Sequence, residues 1–396
     1  MSSPSLWNNT PLIYSSHLSK TSGCSVYLKL EVSQSRFLTA NRALIMIAAI
    51  VQNLQPSHSF KSRGIGFFIQ KVKEERGPGV HLIIASGGNA GYAAACAARI
   101  LGVKCTVYIP EGVAKSTLDL LNAQDAEVVV TGKFYLEALN AAQDTVDRES
   151  NAVMVPAYDN AIVWEGHSFM IDEVSSQLGK KPDAIFCSVG GGGLLGGIIV
   201  GCKKVGWDDV PIVALETLGS NCFHHSVLMN TTSSSQFATT LPPSVTKELD
   251  STHDLKLAHF HGFFSRASGS LGASRPSAGV VKMALERKGG IQCVSVQDEL
   301  SMQAGVLFAE EHKMLVELAC STTLVPAYKS QLMNKLLPQR PDRTVVFIVC
   351  GGFKVSLSEM EETRALLEAQ LARKSDEGWE VVCGDGDSLR LDYSVS

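Results

Sequence analysis

Lys61 stands between Ser59-Phe60 and Ser62-Arg63-Gly64. A lysine beside an arginine is ordinarily solvated surface. Held at a buried loop-to-helix junction, the same amine loses part of its preference for charge and can act as a nucleophile toward a carbonyl, as Schiff-base lysines do. Four consecutive glycines, Gly190, Gly191, Gly192 and Gly193, precede an apolar helix pattern that begins near Leu194. Their amides can converge on an anion, and the helix N-terminus adds partial positive charge. That chemistry suits a phosphate, although a tight packed turn needs glycine too. No Gly-Lys-Ser/Thr follows, and the spacing is not G-x-G-x-x-G, which argues against a nucleotide loop. Two other turns are unusual: Ser86-Gly87-Gly88-Asn89-Ala90-Gly91 and Cys350-Gly351-Gly352. Taken alone, Cys350 reads as a small buried hydrophobe, and Glu216 as a solvated carboxylate at a strand end. His167, His224, His225, His259 and His261 have no metal-ligand spacing, and adjacent His224 and His225 cannot share one helix face. All five are expected to be structural or surface residues.

These residues need elements to hold them. Val26–Leu30, Leu82–Ala85, Cys105–Ile109, Glu127–Val130, Ala184–Ser188, Ile212–Leu215, Ile291–Val296 and Thr344–Val349 read as strands. Helical periods cover Tyr92–Leu101, Leu136–Arg148, Val163–Leu178 and Ala278–Glu286. Near-continuous apolar strands alternating with helices predict α/β architecture, with parallel sheets covered by helices on both faces. Ligands in such sheets bind where strands end and helices begin, which is where the three glycine-rich turns fall. Asn89 is expected to cap one helix, and Ser358 with Glu361 to form a capping box on another. The stretch from Asn230 to Gly269 reads as a long loop, and the tail after Arg373 as a frayed extension.

With 396 residues the chain is long enough for two domains. Its net charge of −4 and the lack of a basic run argue against nucleic acid as a partner. The longest apolar run, Ala43–Val51, falls far short of the ~20 residues of a membrane span. No basic-then-apolar leader opens the sequence. The ten cysteines lack C-x-x-C pairs, so buried free thiols in a reducing compartment, and a cytoplasmic location, are expected.

Ser59-Phe60-Lys61, the turn from Ser86 to Gly91, Gly190 to Gly193 and Cys350-Gly351-Gly352 occur in the order seen in fold-type II pyridoxal-phosphate (PLP) enzymes, the tryptophan synthase β-like fold. The chain most resembles the L-serine/L-threonine dehydratase group, from about Thr10 to Leu357. Thr10-Pro11-Leu12, Trp164-Glu165-Gly166-His167 and Leu215-Glu216-Thr217 fit as well. The resemblance implies β-elimination from L-serine or L-threonine, giving pyruvate or 2-oxobutanoate and ammonia. It implies that Lys61 carries the cofactor and takes the substrate Cα proton, that Phe60 packs beside the ring, and that Asn89 meets the ring 3′ oxygen. Ser86, Gly87, Gly88 and Asn89 would hold the substrate carboxylate. Gly190, Gly191, Gly192 and Gly193 would bind the phosphate, and Cys350 would meet the pyridine nitrogen. A neutral thiol there makes a weaker electron sink than a carboxylate would, which suits elimination over transamination. A monovalent-cation site, such as K⁺, is implied at Glu216 with carbonyls near Gly190, Ser220, Leu271 and Ala273. A homodimer acting in amino-acid catabolism, including gluconeogenesis, completes the implied picture. The alternatives are β-replacement of the cysteine synthase type and an inactive paralogue of the same fold.

The expected domains are a large cofactor-binding unit of residues 1–63 and 157–358, a small unit of 64–156, and a C-terminal helix and tail at 359–396. Three features depart from the family. Phe353 stands where a small residue is usual. Leu318 and Ser321 alter a Glu-Pro-Ala-Cys/Ser-Gly pattern. Val32 to Gln52 adds 21 residues before the cofactor loop. Val32-Ser33 permits a splice donor (GTA-AGT), Ala40-Asn41 a branch point (GCT-AAC) and Gln52 an acceptor (CAG), and 63 nucleotides preserve the frame. A retained intron is therefore the expected origin of this segment, against a genuine insertion, because long structureless insertions are rare in compact domains.

Overall fold

The computed structural model describes residues 5–32, 55–231, 241–339, 342–372, 378–384 and 386–394. Apart from Val32, the 32–52 segment lies outside the described residues. Strands β1 (Leu12–Tyr14) and β2 (Ser25–Leu30) come first, followed by β3 (His81–Ala85), β4 (Lys104–Ile109), β5 (Glu127–Val130) and β6 (Ala152–Met154). Then come β7 (Ala184–Ser188), β8 (Ile212–Thr217), β9 (Val245–Asp250), β10 (Leu255–Phe260), β11 (Ile291–Val296), β12 (Thr344–Val349), β13 (Trp379–Cys383) and β14 (Asp387–Leu391).

One sheet has the order β5-β4-β3-β6 and is parallel throughout. Alternate residues of β3 point to opposite faces, as the period of a strand requires. Leu82 and Ile84 meet the helices Lys61–Arg76 and Asn89–Leu101, while Ile83 and Ala85 meet Ala138 and Ala142 of the helix Tyr135–Arg148. Both faces are thus buried, which is why β3 reads as continuously apolar.

The larger sheet has the order β1-β2-β12-β7-β8-β11-β13-β14. Its five central strands are parallel, and β1, β13 and β14 add antiparallel edges. The core of this sheet includes Phe186 stacked on Phe347 at 4.4 Å, across the β7–β12 pair. Among the described residues no helix is long and apolar enough to cross a membrane.

Three sequence expectations are corrected. The tail is not frayed: β13 pairs with β11 and buries Trp379, Val381 and Cys383 against the core. The stretch from Asn230 to Gly269 contains the hairpin β9–β10, whose polar alternation hid it. The helix Leu357–Ala372 is capped two residues earlier than expected. Glu359 Oε2 accepts from the Ser356 amide at 2.7 Å, and the Glu359 amide donates to Ser356 Oγ at 3.2 Å. Ser356 and Ser358 both precede a glutamate by three, so the pattern alone could not choose between them.

Candidate active site

The carboxyl ends of β3, β7 and β12 open on one cavity of about 460 Å³, within the ~300–1,000 Å³ of small-molecule sites. Parallel pairing of β12 with β7 brings their exits side by side. Cys350 Sγ therefore lies 3.6 Å from Ser188 Oγ, just before the glycine run. The lining includes Phe60, Lys61, Ser86, Gly88, Asn89, Gly190, Gly191, Gly192, Gly193, Leu271, Ala273 and Cys350. Gly87 lies outside the lining, its face turned toward Ile109 and Val113.

Lys61 is the first residue of the helix Lys61–Arg76. The loop before it is zipped to the β12 exit. Ser59 bridges Gly351, the Phe60 amide donates to the Cys350 carbonyl at 3.0 Å, and the Gly352 amide donates to the His58 carbonyl at 2.9 Å. Two residues beyond Lys61, the buried Arg63 binds Glu31 at 2.8 Å and Glu173 at 2.7 Å, and Lys29 binds Glu173 at 2.6 Å. Charges so placed gain little net stability but fix geometry, because misalignment would strand an ion in the core. Lys61 Nζ donates to the Ala157 carbonyl at 2.8 Å and lies 5.2 Å from the Phe60 ring centre. Burial pushes the Lys61 amine down to about 8, against the opposing pull of Cys350 and Glu317.

The glycine run is a cradle that side chains would fill. A Cβ on Gly191 would meet Tyr158 at 2.5 Å, and one on Gly193 would meet Tyr158 Cβ at 2.9 Å. Gly192 has φ 97°, a left-handed conformation that favours glycine. The helix Gly193–Lys204 starts here, so its first amides point into the cavity wall. An amine nucleophile and an amide-lined anion cradle in one cavity fit an aldehyde-bearing phosphate ester.

Asn89 starts its helix but does not cap it; Gly88 is the cap residue, with no side-chain bond. The Asn89 side chain instead donates to both Glu317 oxygens, at 3.2 and 3.1 Å, and accepts from the Phe353 amide at 3.2 Å. Glu317 also accepts from Ser270 Oγ at 2.6 Å. Sequence reasoning noticed Glu317 only as part of an altered motif, and missed Ala157, Ser188 and Ser270. Their partnerships span distant positions, and no local pattern announces them.

Glu216 is buried at the end of β8, not solvated. It accepts from the amides of Phe223 at 3.0 Å and His224 at 2.7 Å, and burial pushes its carboxyl up to about 8. Among the described residues Ser220 Oγ is buried without a hydrogen-bond partner. Gly190 and Leu271 touch: a Cβ on Gly190 would lie 2.9 Å from the Leu271 carbonyl oxygen. Among the described residues no group of three or more His, Cys, Asp or Glu side chains is disposed to hold a metal ion. His167 is not a surface residue; Nδ1 accepts from the Gly64 amide at 3.1 Å and the ring packs on Phe60. His224 is also internal, bonded to Ser295 Oγ and the Gly384 carbonyl.

Residues 47–351 match the profile of the family described as "Pyridoxal-phosphate dependent enzyme". The chain belongs to this family of pyridoxal-phosphate dependent enzymes. It is 33% identical to the L-serine dehydratase/L-threonine deaminase of Homo sapiens, covering 93% of this chain and 97% of that one. It is 35% identical to the serine dehydratase-like protein of Mus musculus, over 90% of this chain and 94% of that one. Among solved structures, an L-serine ammonia-lyase from Rhizomucor miehei superimposes with a TM-score of 0.74 at 30% identity, covering 91% of this chain and 99% of that chain. Family membership makes the chain a PLP-dependent enzyme.

Proposed function

We propose that this enzyme removes ammonia from L-serine, giving pyruvate, and from L-threonine, giving 2-oxobutanoate. The observation that carries the reading is Lys61, an amine with its pKa lowered to about 8 by burial, facing the glycine cradle across one cavity. The chain's overall similarity to the relatives named above supports the choice of substrates.

The cofactor, when bound, supplies an electron sink for the pair left at the substrate Cα. The chain's residues do the rest. Lys61 would hold the cofactor through its amine and would take the substrate Cα proton. An amine with a pKa of about 8 is mostly protonated at neutral pH and becomes free to accept a proton as the pH rises through 8. Gly190, Gly191, Gly192 and Gly193 would grip the phosphate through amides and the helix terminus. Of the turn, Ser86, Gly88 and Asn89 would orient the substrate carboxylate, and Phe60 would flank the ring. The Glu317 contacts hold the Asn89 side chain, which would meet the ring oxygen. Cys350, beside Ser188, would meet the ring nitrogen with a thiol where a carboxylate would hold a proton on it.

A monovalent cation such as K⁺ is proposed near Gly190, Leu271 and Ala273. The uncompensated hydroxyl of Ser220 and the buried Glu216 support it. The cleft would lie between a small unit of 64–156 and a large unit of 1–63 and 157–358. Ten buried free cysteines support a reducing, cytoplasmic setting. A homodimer acting in amino-acid catabolism is proposed by analogy with the family.

The test is the product balance from L-serine, with and without sulfide. Elimination yields pyruvate and ammonia in equal amounts, unaffected by sulfide. Diversion of product into cysteine would replace this reading with β-replacement.

A further inference from the structure

Phe353 and Lys354 follow the Cys350-Gly351-Gly352 turn and reach from the large sheet to the turn after β3. Their backbone is pinned at both residues. The Phe353 amide donates to Asn89 Oδ1 at 3.2 Å, and the Lys354 amide donates to Glu317 Oε1 at 2.9 Å. The Phe353 ring packs 5.1 Å from that of Tyr92, on the small-sheet side. That contact anchors the segment and accounts for a bulky residue at this position.

The Lys354 side chain extends over the Ser86–Asn89 turn. Its Nζ lies 3.6 Å from the point where a Cβ on Gly88 would stand, and Ser86 Oγ lies 3.7 Å from the same point. Gly88 lines the active-site cavity. Among the described residues the Lys354 ammonium makes no ion pair. The nearby acid, Glu317, is already taken by Asn89, Ser270 and the Lys354 backbone amide. Lys354 lines the adjoining cavity, which shares Ser270, Glu317 and Ala319 with the active site, and from there its half-buried, unneutralised ammonium faces the Ser86–Asn89 turn.

We infer that Lys354 is a substrate-binding residue whose ammonium pairs with the α-carboxylate held by the Ser86–Asn89 turn. This rests on the assignment of that turn to the carboxylate in the proposed function. Because the cation comes from the large sheet and the turn from the small one, the bound carboxylate ties the two together. The pairing selects substrates with a charged carboxylate over neutral derivatives, since a charge-assisted hydrogen bond is worth more than a neutral one.

The experiment uses the cofactor-loaded enzyme and its Lys354→Met and Lys354→Arg variants. Calorimetric titration compares L-alanine, which has no leaving group, with L-alaninamide, which has no carboxylate. Lys354→Met should bind L-alanine about tenfold more weakly and L-alaninamide almost unchanged, with Lys354→Arg restoring most of the difference. In turnover of L-serine the same variant should raise KM with little change in kcat. Unchanged L-alanine binding, or an equal loss for both ligands, would overturn the assignment. Loss of pyruvate formation by the unaltered enzyme would count against the proposed reaction instead, because the binding comparison does not depend on turnover.

Discussion

The Lys61 amine owes its chemistry to where the chain buries it. Among the described residues its one hydrogen bond goes to a backbone carbonyl, that of Ala157, and burial outweighs the stabilising pull of Cys350 and Glu317 on its charge. A lysine whose pKa is lowered to about 8 is protonated below that pH and neutral above it, and only the neutral form attacks a carbonyl. The rate at which the cofactor-free enzyme takes up added PLP should therefore rise with pH up to about 8 and level off above it. Stopped-flow absorbance across pH 6–10, corrected for the titration of free PLP, checks this; a rise that continues to pH 10 would mean an exposed, unperturbed amine. At this scale the sequence announced Lys61, the glycine cradle and Cys350, because each sits in a short local pattern. It could not announce Glu317 beside Asn89, nor Ser188 beside Cys350. Those contacts join residues 228 and 162 positions apart and arise from strand order.

The elements that carry the site were legible where they were apolar. β7 and β12 are buried along their whole length, so their sequences read as continuous strands, and their glycine turns marked the exits. β13 and β14 escaped because they are short, half polar and follow a charged helix. They nevertheless finish the large sheet. β13 covers the edge of β11, and the Gly384 carbonyl beyond it accepts from His224. Lys329, buried beside Trp379, donates to the Asp392 carbonyl at 3.0 Å. A chain ended after Ala372 should lose on the order of 5 kcal/mol, since Trp379, Val381, Val382, Cys383 and Leu391 would no longer bury their apolar surface. An uncovered strand edge also invites association. Thermal unfolding and light scattering check both expectations; an unchanged melting temperature would make the hairpin an ornament.

For the whole molecule, the question is what the chain needs between Glu31 and Gln55. These residues meet directly: Gln55 Nε2 donates to Glu31 Oε2 at 2.7 Å, and Arg63 binds the same carboxylate. The two ends of the intervening stretch are thus already held together by a buried network. Deleting Val32–Gln52 should leave the fold intact and the activity at least as high, because the network that orients Lys61 stays on either side of the cut. A soluble, active shortened enzyme would fit the retained-intron origin, and a CAA codon for Gln52 in the gene would remove the acceptor site and sink it. An insoluble or inactive product would make the segment part of the native fold.

The most direct test of the central claim is pyruvate release from L-serine by the PLP-loaded enzyme, set beside its Lys61→Ala variant. The proposed mechanism predicts steady release by the unaltered enzyme and a loss of at least ~10³-fold in the variant, since it assigns to one side chain both the holding of the cofactor and the movement of the proton. No pyruvate from the folded, PLP-loaded enzyme, or near-normal release from Lys61→Ala, would contradict it.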